Sequence, residues 1–435
     1  MTQQDSRAGS WALGGVRVLD LTEYVAGPFA GQMLADMGAN VIKLEPPQGD
    51  QWRLSNMIAP DESRGFLSVN RGKRSIAVDL KTEAGREIAR KLALQADVLL
   101  SSYRPGVSER LGMDYATLSA LNPGLVYCHN TAFGSTGPYS SKAGFDLVAQ
   151  AMTGIISFES FGKAGKPQGI TAAAITDFCS GVFMAYAAAC ALVQRNVTGK
   201  GQEVETSLFA SGIALQYRPL LSIDMFDKAP RDELLDRLQT ASAEGRSREE
   251  AMAEGYARNG APAIATNPYY NIYRTRDSHM VIACLNNRLR RASARLLGVD
   301  DVRVEADEWD STLLGVDGEA KLNAQIGAVF ATKTTEEWCA LFDAKGIPCG
   351  PVRIGEELYE DPHVLAQNLI PELEHPILGK VRVAGSPIKM SAAETGAKTA
   401  SPMLGQHTRE VLREIGYTEQ QIDELVASEV VRAGD

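Results

Sequence analysis

One carboxylate stands apart in this sequence as a candidate nucleophile. Asp177 ends the small and apolar stretch GITAAAITD (169–177) and comes directly before a long run with helical character. An aspartate in this position can cap the helix, because its side chain accepts a hydrogen bond from an exposed amide of the first turn. The position equally suits a nucleophile, because the helix dipole favours the ionised carboxylate and nearby amides can stabilise an oxyanion. Local sequence leaves both interpretations open.

Basic side chains are concentrated early in the chain, at Arg71, Lys73, Arg74, Lys81, Arg104 and Arg110. Most charge runs are solvated surfaces, and that is the simpler interpretation. However, Tyr103-Arg104-Pro105-Gly106 follows a predicted strand immediately, where the ligand loops of open α/β sheets lie. An aromatic ring beside an arginine can stack on a purine and pair with a phosphate. A nucleotide-binding loop is therefore the alternative to a solvated surface.

Several well-known catalytic and phosphate-binding motifs are absent. The sequence has no GxxxxGK[ST] loop and no GxSxG elbow, and GSTG (134–137) lacks the spacing of a dinucleotide glycine loop. TGKG (198–201) has no following Ser or Thr and is predicted to be a turn. The five histidines and six cysteines show no metal-ligand spacing, so we expect neither a metal site nor a disulfide framework.

Composition and charge disfavour several kinds of partner. The 54 acidic and 44 basic side chains give a net charge of −10, which opposes general binding to nucleic acid or membrane surfaces. A small anionic ligand needs only a local basic cluster. The polar start, 1–15, lacks a signal-peptide core, and the longest nearly apolar run, 178–193, is shorter than a membrane span. We therefore expect a cytoplasmic protein.

The first half of the chain alternates between strand-like and helix-like segments. Strands are predicted at 16–21, 40–44, 76–78, 97–100, 125–129 and 202–207. Helices are predicted at 29–37, 82–95, 146–153 and 178–194, and the Gly27-Pro28 pair is interpreted as a break before the first of them. Strands and helices in this rhythm predict a parallel sheet with crossover helices, which is an α/β fold.

The length of 435 residues predicts at least two domains. The segment 224–258 is charged and rich in Ala, Glu and Arg, and we place the domain change near it. Residues 269–342 return to strand and helix patterns and indicate a smaller α/β unit. The end of the chain predicts two short strands and two helices, at 408–415 and 419–427.

A series of short motifs, weak singly but specific as an ordered set, resembles the family III CoA-transferases, which include the formyl-CoA:oxalate and carnitine-pathway enzymes. The motifs run in order from residue 13 to residue 408. They are LGGVRVLDLT (13–22), AGP (26–28), GANVIKLE (38–45), RGKRS (71–75), YRPG (103–106), RLG (110–112), LNP (121–123), GSTGPY (134–139), TGKGQ (198–202), GIPCGPV (346–352) and LGQHT (404–408).

This resemblance implies roles for individual residues. It places the catalytic aspartate at Asp177, ahead of Ser180-Gly181 as in the family pattern. Asn259 and Gly260 stand nearest to a tetraglycine substrate loop that this sequence lacks. Ser102 replaces a common Asn, and Val25 replaces the Gln of the formyl-CoA enzyme. The resemblance implies CoA contacts at Val25, Ala26, Val78, Lys81, Ser102, Tyr103, Arg104 and Arg110, with Phe145 and Asp146 beside the thioester.

The resemblance further implies an architecture and a reaction. A Rossmann-like large domain is expected from residues 1–220 and 355–435, a smaller α/β domain from 221–354, and an interlocked homodimer from two chains. The expected reaction moves CoA from an acyl-CoA to a carboxylic acid through an aspartyl-CoA thioester on Asp177. Coenzyme A is then a co-substrate, and neither a metal nor a permanently bound cofactor is needed.

Two other functions are considered. A 2-methylacyl-CoA racemase of the same fold needs a histidine opposite the aspartate, in a Gly-His-Asp sequence, but the matching stretch here is Gly144-Phe145-Asp146. Because phenylalanine cannot carry a proton, the racemase is disfavoured. A non-catalytic acyl-CoA-binding protein is the alternative from another class, and the intact Asp177 argues against it.

Overall fold

The computed structural model describes residues 10–159, 167–217, 219–259, 267–304, 306 and 313–434. The chain divides into two compact units. The larger unit comprises Met1–Leu221 and Pro362–Asp435, and the smaller unit comprises Ser222–Asp361.

The strands of the described chain are short, as is usual for an α/β protein. In chain order they are β1 (Arg17–Leu21), β2 (Asn40–Glu45), β3 (Met57–Ala59), β4 (Glu62–Ser63), β5 (Arg74–Val78), β6 (Val98–Ser101), β7 (Val126–Thr131), β8 (Glu203–Ser207), β9 (Tyr270–Arg274), β10 (His279–Ala283), β11 (Cys349–Pro351), β12 (Glu372–His375), β13 (Gly379–Arg382) and β14 (Val431–Arg432).

The helices of the described chain separate most of these strands. They are α1 (Ala26–Asp36), α2 (Gln51–Leu54), α3 (Arg64–Val69), α4 (Glu83–Gln95), α5 (Val107–Leu111), α6 (Tyr115–Leu121), α7 (Asp146–Thr153), α8 (Ile155–Glu159), α9 (Ile175–Thr198), α10 (Leu208–Ala214), α11 (Asp224–Ala243), α12 (Arg248–Asn259), α13 (Asn287–Leu297), α14 (Gly315–Phe330), α15 (Thr335–Asp343), α16 (Pro362–Gln367), α17 (Thr408–Glu414) and α18 (Glu419–Ala427).

A seven-stranded sheet lies at the centre of the larger unit, in the order β14-β5-β2-β1-β6-β7-β8. In this order, each strand from β5 through β2, β1, β6 and β7 to β8 is parallel to the next one. Strand β14, at one edge of the sheet, is antiparallel to β5. Counted along the chain, the parallel strands follow the order 3-2-1-4-5-6 of a doubly wound sheet. The predicted α/β fold with a parallel sheet is confirmed.

Apolar side chains cover both faces of this sheet, because successive residues of a strand point to opposite sides. Leu19 belongs to a core shared with α4, α17 and α18, whereas Val18 belongs to a core shared with α1 and α9. Each face of the parallel sheet is therefore closed by helices, as the doubly wound architecture requires.

The first helix begins earlier than the predicted 29–37. Helix α1 starts at Ala26, so Gly27 and Pro28 lie inside its first turn and are not a break before it. Proline is tolerated there because the first amides of a helix have no intrahelical acceptor, so its missing N–H removes no helix hydrogen bond. The sequence interpretation of this pair as a break before the helix is wrong.

Helix α9 is the longest apolar helix in the larger unit. With 24 residues it is long and apolar enough to cross a membrane, judged by length and composition. Its buried residues include Met184, Ala185 and Ala188, which pack in the core between α1 and the sheet. A hydrophobic core helix meets the same criteria as a membrane span. In α9, 44% of the apolar window is buried, on the side that packs against α1, α10, β7 and β8.

The smaller unit has a separate core. Strands β9, β10 and β11 form an antiparallel three-stranded sheet in the order β11-β10-β9. Aromatic rings fill the space between this sheet and its helices: Phe330 stacks on Tyr273 with ring centroids 5.0 Å apart and meets Trp338 edge-on at 5.2 Å. Helices α11 and α12 lie in the charged segment of the sequence.

Candidate active site

A cavity of about 490 Å³ lies at the carboxyl ends of the central strands. Its walls come from the segments that follow β1 and β6, from the end of β7, and from the first turn of α9. Strands β1 and β6 are neighbours across the point where the strand order reverses, and this is where ligands bind in doubly wound sheets. Seven of the predicted site residues line this cavity: Val25, Ala26, Ser102, Tyr103, Arg104, Phe145 and Asp177.

Asp177 does not cap α9. The N-cap is Ala174, which provides no side-chain hydrogen bond, and Asp177 lies in the first turn of the helix. Its half-buried carboxylate faces the cavity and has no hydrogen bond or ion pair with the residues that the structure describes. The capping interpretation is therefore wrong, and the carboxylate is available to a ligand.

The start of α9 is capped instead by a side chain from helix α7. The Asp146 carboxylate, at the start of α7, accepts hydrogen bonds from the backbone N–H of Thr176 (2.7 Å) and from its hydroxyl (2.6 Å). The other Asp146 oxygen accepts a hydrogen bond from Gln150 Nε2 at 2.6 Å. Gln150 in turn exchanges two hydrogen bonds with the backbone of Ile170, at 2.8 and 2.9 Å. This network fixes the turn that carries Asp177, and Asp146 itself does not line the cavity.

Burial and the negative charge of Asp146 raise the pKa of Asp177 to about 7. Burial is the larger cause, because a carboxylate loses hydration when it leaves water. Carboxyl groups with strongly raised pKa values that face a cavity are frequent at active sites. At neutral pH both protonation states of Asp177 are then populated.

This raised pKa predicts a pH dependence. Activity that needs ionised Asp177 should rise through about pH 7. The variant Asp146→Asn removes the nearby charge, so the pKa of Asp177 falls and the acidic limb of kcat/KM should move to lower pH. Thr176→Val removes only the hydroxyl contact and is the matched control without a shift. An unmoved limb in Asp146→Asn would contradict the electrostatic coupling.

Buried charges support the loop after β1. Lys43 Nζ donates a hydrogen bond to the backbone oxygen of Thr22 at 2.7 Å and pairs with Asp50 at 3.0 Å. The Asp50 carboxylate also accepts a hydrogen bond from the backbone N–H of Tyr24 at 3.2 Å. Tyr24 has a φ of 68°, a left-handed conformation that is strained for a tyrosine. Fixed polar contacts therefore hold a strained turn at the wall of the cavity.

A hydrogen bond joins the loops on either side of the point where the strand order reverses. The Glu23 backbone N–H donates to Ser102 Oγ at 3.1 Å, which connects the segment after β1 to the segment after β6. Ser102 is therefore part of the scaffold as well as of the cavity wall. Helix α9 also approaches the start of α1 closely. A Cβ on Gly181 would lie only 2.6 Å from the backbone oxygen of Ala26, so the contact requires a glycine.

The predicted basic cluster separates into two groups. Three members serve the fold: Arg71 pairs with buried Asp36, Lys73 pairs with Asp20 at 2.8 Å, and Arg74 pairs with Glu410 at 2.7 Å. Arg71 and Lys73 are buried, so the interpretation of the basic cluster as a solvated surface is wrong for these two residues. The other members are exposed and have no ion-pair partner in the described part of the chain: Lys81, Arg104 and Arg110.

A second cavity of about 230 Å³ lies beside the ends of β2 and β5. Val78 and Lys81 line it, and Tyr103 and Glu23 line both cavities. The structure thus brings these predicted residues next to the first cavity. Arg110 lies on α5 and lines neither of the two cavities.

Sequence reasoning missed other cavity residues, among them Glu23, Tyr24 and Asn130. Burial and nearby carboxylates, Asp50 foremost, raise the pKa of Glu23. The ring of Tyr24 meets Phe145 edge-on, with centroids 5.1 Å apart. The available signal was position alone, since all three lie at or just after the carboxyl end of a predicted strand.

The predicted substrate loop lies mostly outside the described residues. Asn259 is the last residue of α12, but its side chain and Gly260 are outside the described part of the chain. A role for them stays a prediction. Within the described ranges, no group of three or more His, Cys, Asp or Glu side chains could hold a metal ion. No histidine is among the described residues that line the main cavity.

The fold and the site define a class: a doubly wound α/β protein with a cavity at the reversal of strand order. This cavity combines an unpaired carboxylate with the exposed Arg104, and the neighbouring cavity carries the exposed Lys81. The sequence matches the family described as CoA-transferase family III over residues 13–408. The chain belongs to this family of CoA-transferases, which confirms the resemblance found in its motifs.

Known proteins of this kind are similar over almost the whole chain. Succinyl-CoA:glutarate CoA-transferase of Mus musculus is 33% identical and covers 96% of this chain and 90% of its own. Succinyl-CoA–D-citramalate CoA-transferase of Chloroflexus aurantiacus is 31% identical, with 96% and 98% covered. The crystal structure of a CAIB/BAIF family protein from Brucella suis has a TM-score of 0.72 at 28% identity, with 93% and 100% covered.

Proposed function

We propose that this enzyme moves CoA from an acyl-CoA to a carboxylic acid, with Asp177 as the nucleophile. The observation that carries the proposal is the unpaired carboxylate of Asp177, half-buried at the wall of the main cavity. A carboxylate without internal partners keeps its lone pairs for a substrate, and a fixed helix turn keeps it in one place.

The proposed reaction has two exchanges. An Asp177 oxygen adds to the thioester carbon, and the carbon–sulfur bond breaks to give a mixed anhydride and the CoA thiolate. The thiolate then adds to the Asp177 carbonyl carbon, and the donor acid leaves as a carboxylate, which gives an aspartyl-CoA thioester. An acceptor carboxylate reverses both steps. Because the thioester is never hydrolysed, the proposal needs coenzyme A only as co-substrate, without a metal or a permanently bound cofactor.

The nucleotide end of CoA fits the cationic side of the site in this proposal. Lys81, Arg104 and Arg110 are exposed and free of ion pairs within the described chain, so they can neutralise phosphates. Tyr103 lines both cavities, and its ring can stack on the purine. Val25, Ala26, Ser102 and Val78 would complete the CoA contacts, with Phe145 towards the acyl end. Asp146 would act there through the turn of α9 that it caps.

We expect Arg104→Ala to raise KM for the acyl-CoA more than it lowers kcat. Arginine bound to a remote phosphate stabilises the ground state and the transition state equally, and its loss is a loss of uniform binding. Arg64→Ala is a matched control, because Arg64 is exposed and lines neither cavity. Steady-state kinetics of both variants with one acyl-CoA donor will give the changes in KM and kcat. A large fall in kcat at unchanged KM would place Arg104 at the reacting atoms.

We propose succinyl-CoA as the donor and a dicarboxylic or hydroxy acid as the acceptor. The proposal is supported by the names of the mouse and Chloroflexus relatives, which give succinyl-CoA as donor with glutarate or citramalate as acceptor. Acyl-CoA donors should be incubated with a panel of mono- and dicarboxylic acids, and new acyl-CoA products separated by chromatography. Transfer to none of the acids would reject the proposed function.

The two alternatives have weaker support. A racemase needs a second base, but Phe145 occupies the place of its histidine, and no histidine is found among the described cavity residues. Exchange of the α-proton of a 2-methylacyl-CoA with solvent would support the racemase function. A non-catalytic acyl-CoA-binding protein would bind the panel of donors without forming any product.

We also propose that the protein is cytoplasmic and forms an interlocked homodimer. In each chain, the larger unit would bind CoA and carry the catalysis. A second copy would cover the outward face of α9, where Tyr186 and Val193 are 67% exposed and Val197 is 85% exposed. Such a row of exposed apolar residues is typical of a protein interface. A monomeric mass in light scattering would contradict the dimer, and cell fractionation tests the location.

A further inference from the structure

Asn130 is a buried polar residue at the wall of the main cavity. It lies near the carboxyl end of β7 and is only 5% exposed. Its Oδ1 accepts hydrogen bonds from Ser180 Oγ at 2.7 Å and from Thr206 Oγ1 at 3.2 Å. Two contacts on one oxygen fix the orientation of the amide. Its Nδ2 makes no hydrogen bond with any described residue.

The position of Asn130 relative to Asp177 is set by α9. Ser180 follows Asp177 by three residues on this helix, so their side chains lie on the same face, about 5–6 Å apart at Cβ. Asn130 is tied to Ser180 and therefore to the turn that carries the carboxylate. Buried amide groups are almost always hydrogen-bonded, and an unused donor in a cavity wall is available to a ligand oxygen.

We propose that Asn130 is a catalytic residue whose Nδ2 donates a hydrogen bond to the oxyanion formed at the Asp177 carbonyl carbon. This inference rests on the proposed function. When the CoA thiolate adds to that carbon in the mixed anhydride, the carbonyl electron pair moves to oxygen. The tetrahedral adduct collapses when the bond to the acyl oxygen breaks, which releases the carboxylate and leaves the thioester. A donor held to the helix of Asp177 stabilises that oxygen without reorganisation.

The test replaces the donor and keeps the size of the side chain. Asn130→Leu should lower kcat by about 10²- to 10³-fold, the usual effect of losing one oxyanion donor. KM for the acyl-CoA and the dissociation constant of CoA should change less than threefold. Ser180→Ala and Thr206→Val are the controls, because each removes one orienting contact and keeps the donor. We expect them to lose less than about tenfold in kcat.

Each outcome separates the inference from the proposed function. If the wild-type enzyme transfers CoA but Asn130→Leu keeps kcat within threefold, the inference alone is overturned. If Ser180→Ala loses as much kcat as Asn130→Leu, or CoA affinity falls in parallel, Asn130 is structural and the inference is also overturned. If the wild type transfers CoA to no acid, the proposed function and the inference fail together. Should Asn130→Leu not fold, Asn130→Ala gives the same measurement without overpacking.

Discussion

Asp177→Asn is expected to lower the rate of CoA transfer by about 10³-fold or more, because the amide oxygen is a poor nucleophile and cannot form the anhydride. The folded state should not be weakened. Because the pKa of Asp177 is raised to about 7, its ionisation opposes folding as pH rises from the unfolded pKa, near 4, through 7. The amide removes this cost, so the unfolding temperature at pH 8 should stay the same or rise.

The matched control is an aspartate that does cap a helix. Asp114 is the N-cap of α6, and its carboxylate accepts a hydrogen bond from the Thr117 backbone N–H at 2.9 Å. Asp114→Ala should cost about 1 kcal/mol of unfolding free energy and leave transfer unchanged. A folded Asp177→Asn enzyme with near wild-type transfer would reject Asp177 as the nucleophile.

The covalent intermediate should be visible without any acceptor acid. If Asp177 becomes an anhydride and then a CoA thioester, the enzyme will exchange isotopic label between a donor acid and its acyl-CoA. Hydroxylamine added after preincubation with acyl-CoA should inactivate the enzyme at one site, because an activated acyl carbon is electrophilic and a free carboxylate is inert. Mass spectrometry of the peptide that contains Asp177 should then show a hydroxamate.

Two controls make this experiment specific. Enzyme treated with hydroxylamine in the absence of acyl-CoA should keep its activity, and Asp177→Asn should give no adduct. A racemase would show neither label exchange nor trapping, but would exchange the α-proton of a 2-methylacyl-CoA. Transfer without label exchange or trapping would exclude the aspartyl-CoA route, although the family assignment would stand.

Local patterns in the sequence determined the class of fold. Alternating strand and helix signals predicted the parallel sheet, and the strands were located to within one or two residues at most ends, because buried parallel strands are short apolar runs. The ordered motifs from residue 13 to residue 408 also determined the family, which the family match over the same residues confirms. They directed attention to Asp177, whose residue type and neighbours alone left capping and nucleophilic roles open.

Tertiary structure decided what the charged and polar residues do. Thr176 is capped by Asp146, 30 residues earlier in the chain, so the first turn of α9 includes Asp177 and its carboxylate stays unpaired. Lys73 is neutralised by Asp20 on strand β1, more than 50 residues earlier, which a run of basic letters could not reveal. Asn130 was marked only by its position after a predicted strand, because its hydrogen-bond partners lie on α9 and β8. Local sequence fixes the period of helices and strands, whereas a hydrogen bond or ion pair between distant segments exists only once the chain has folded.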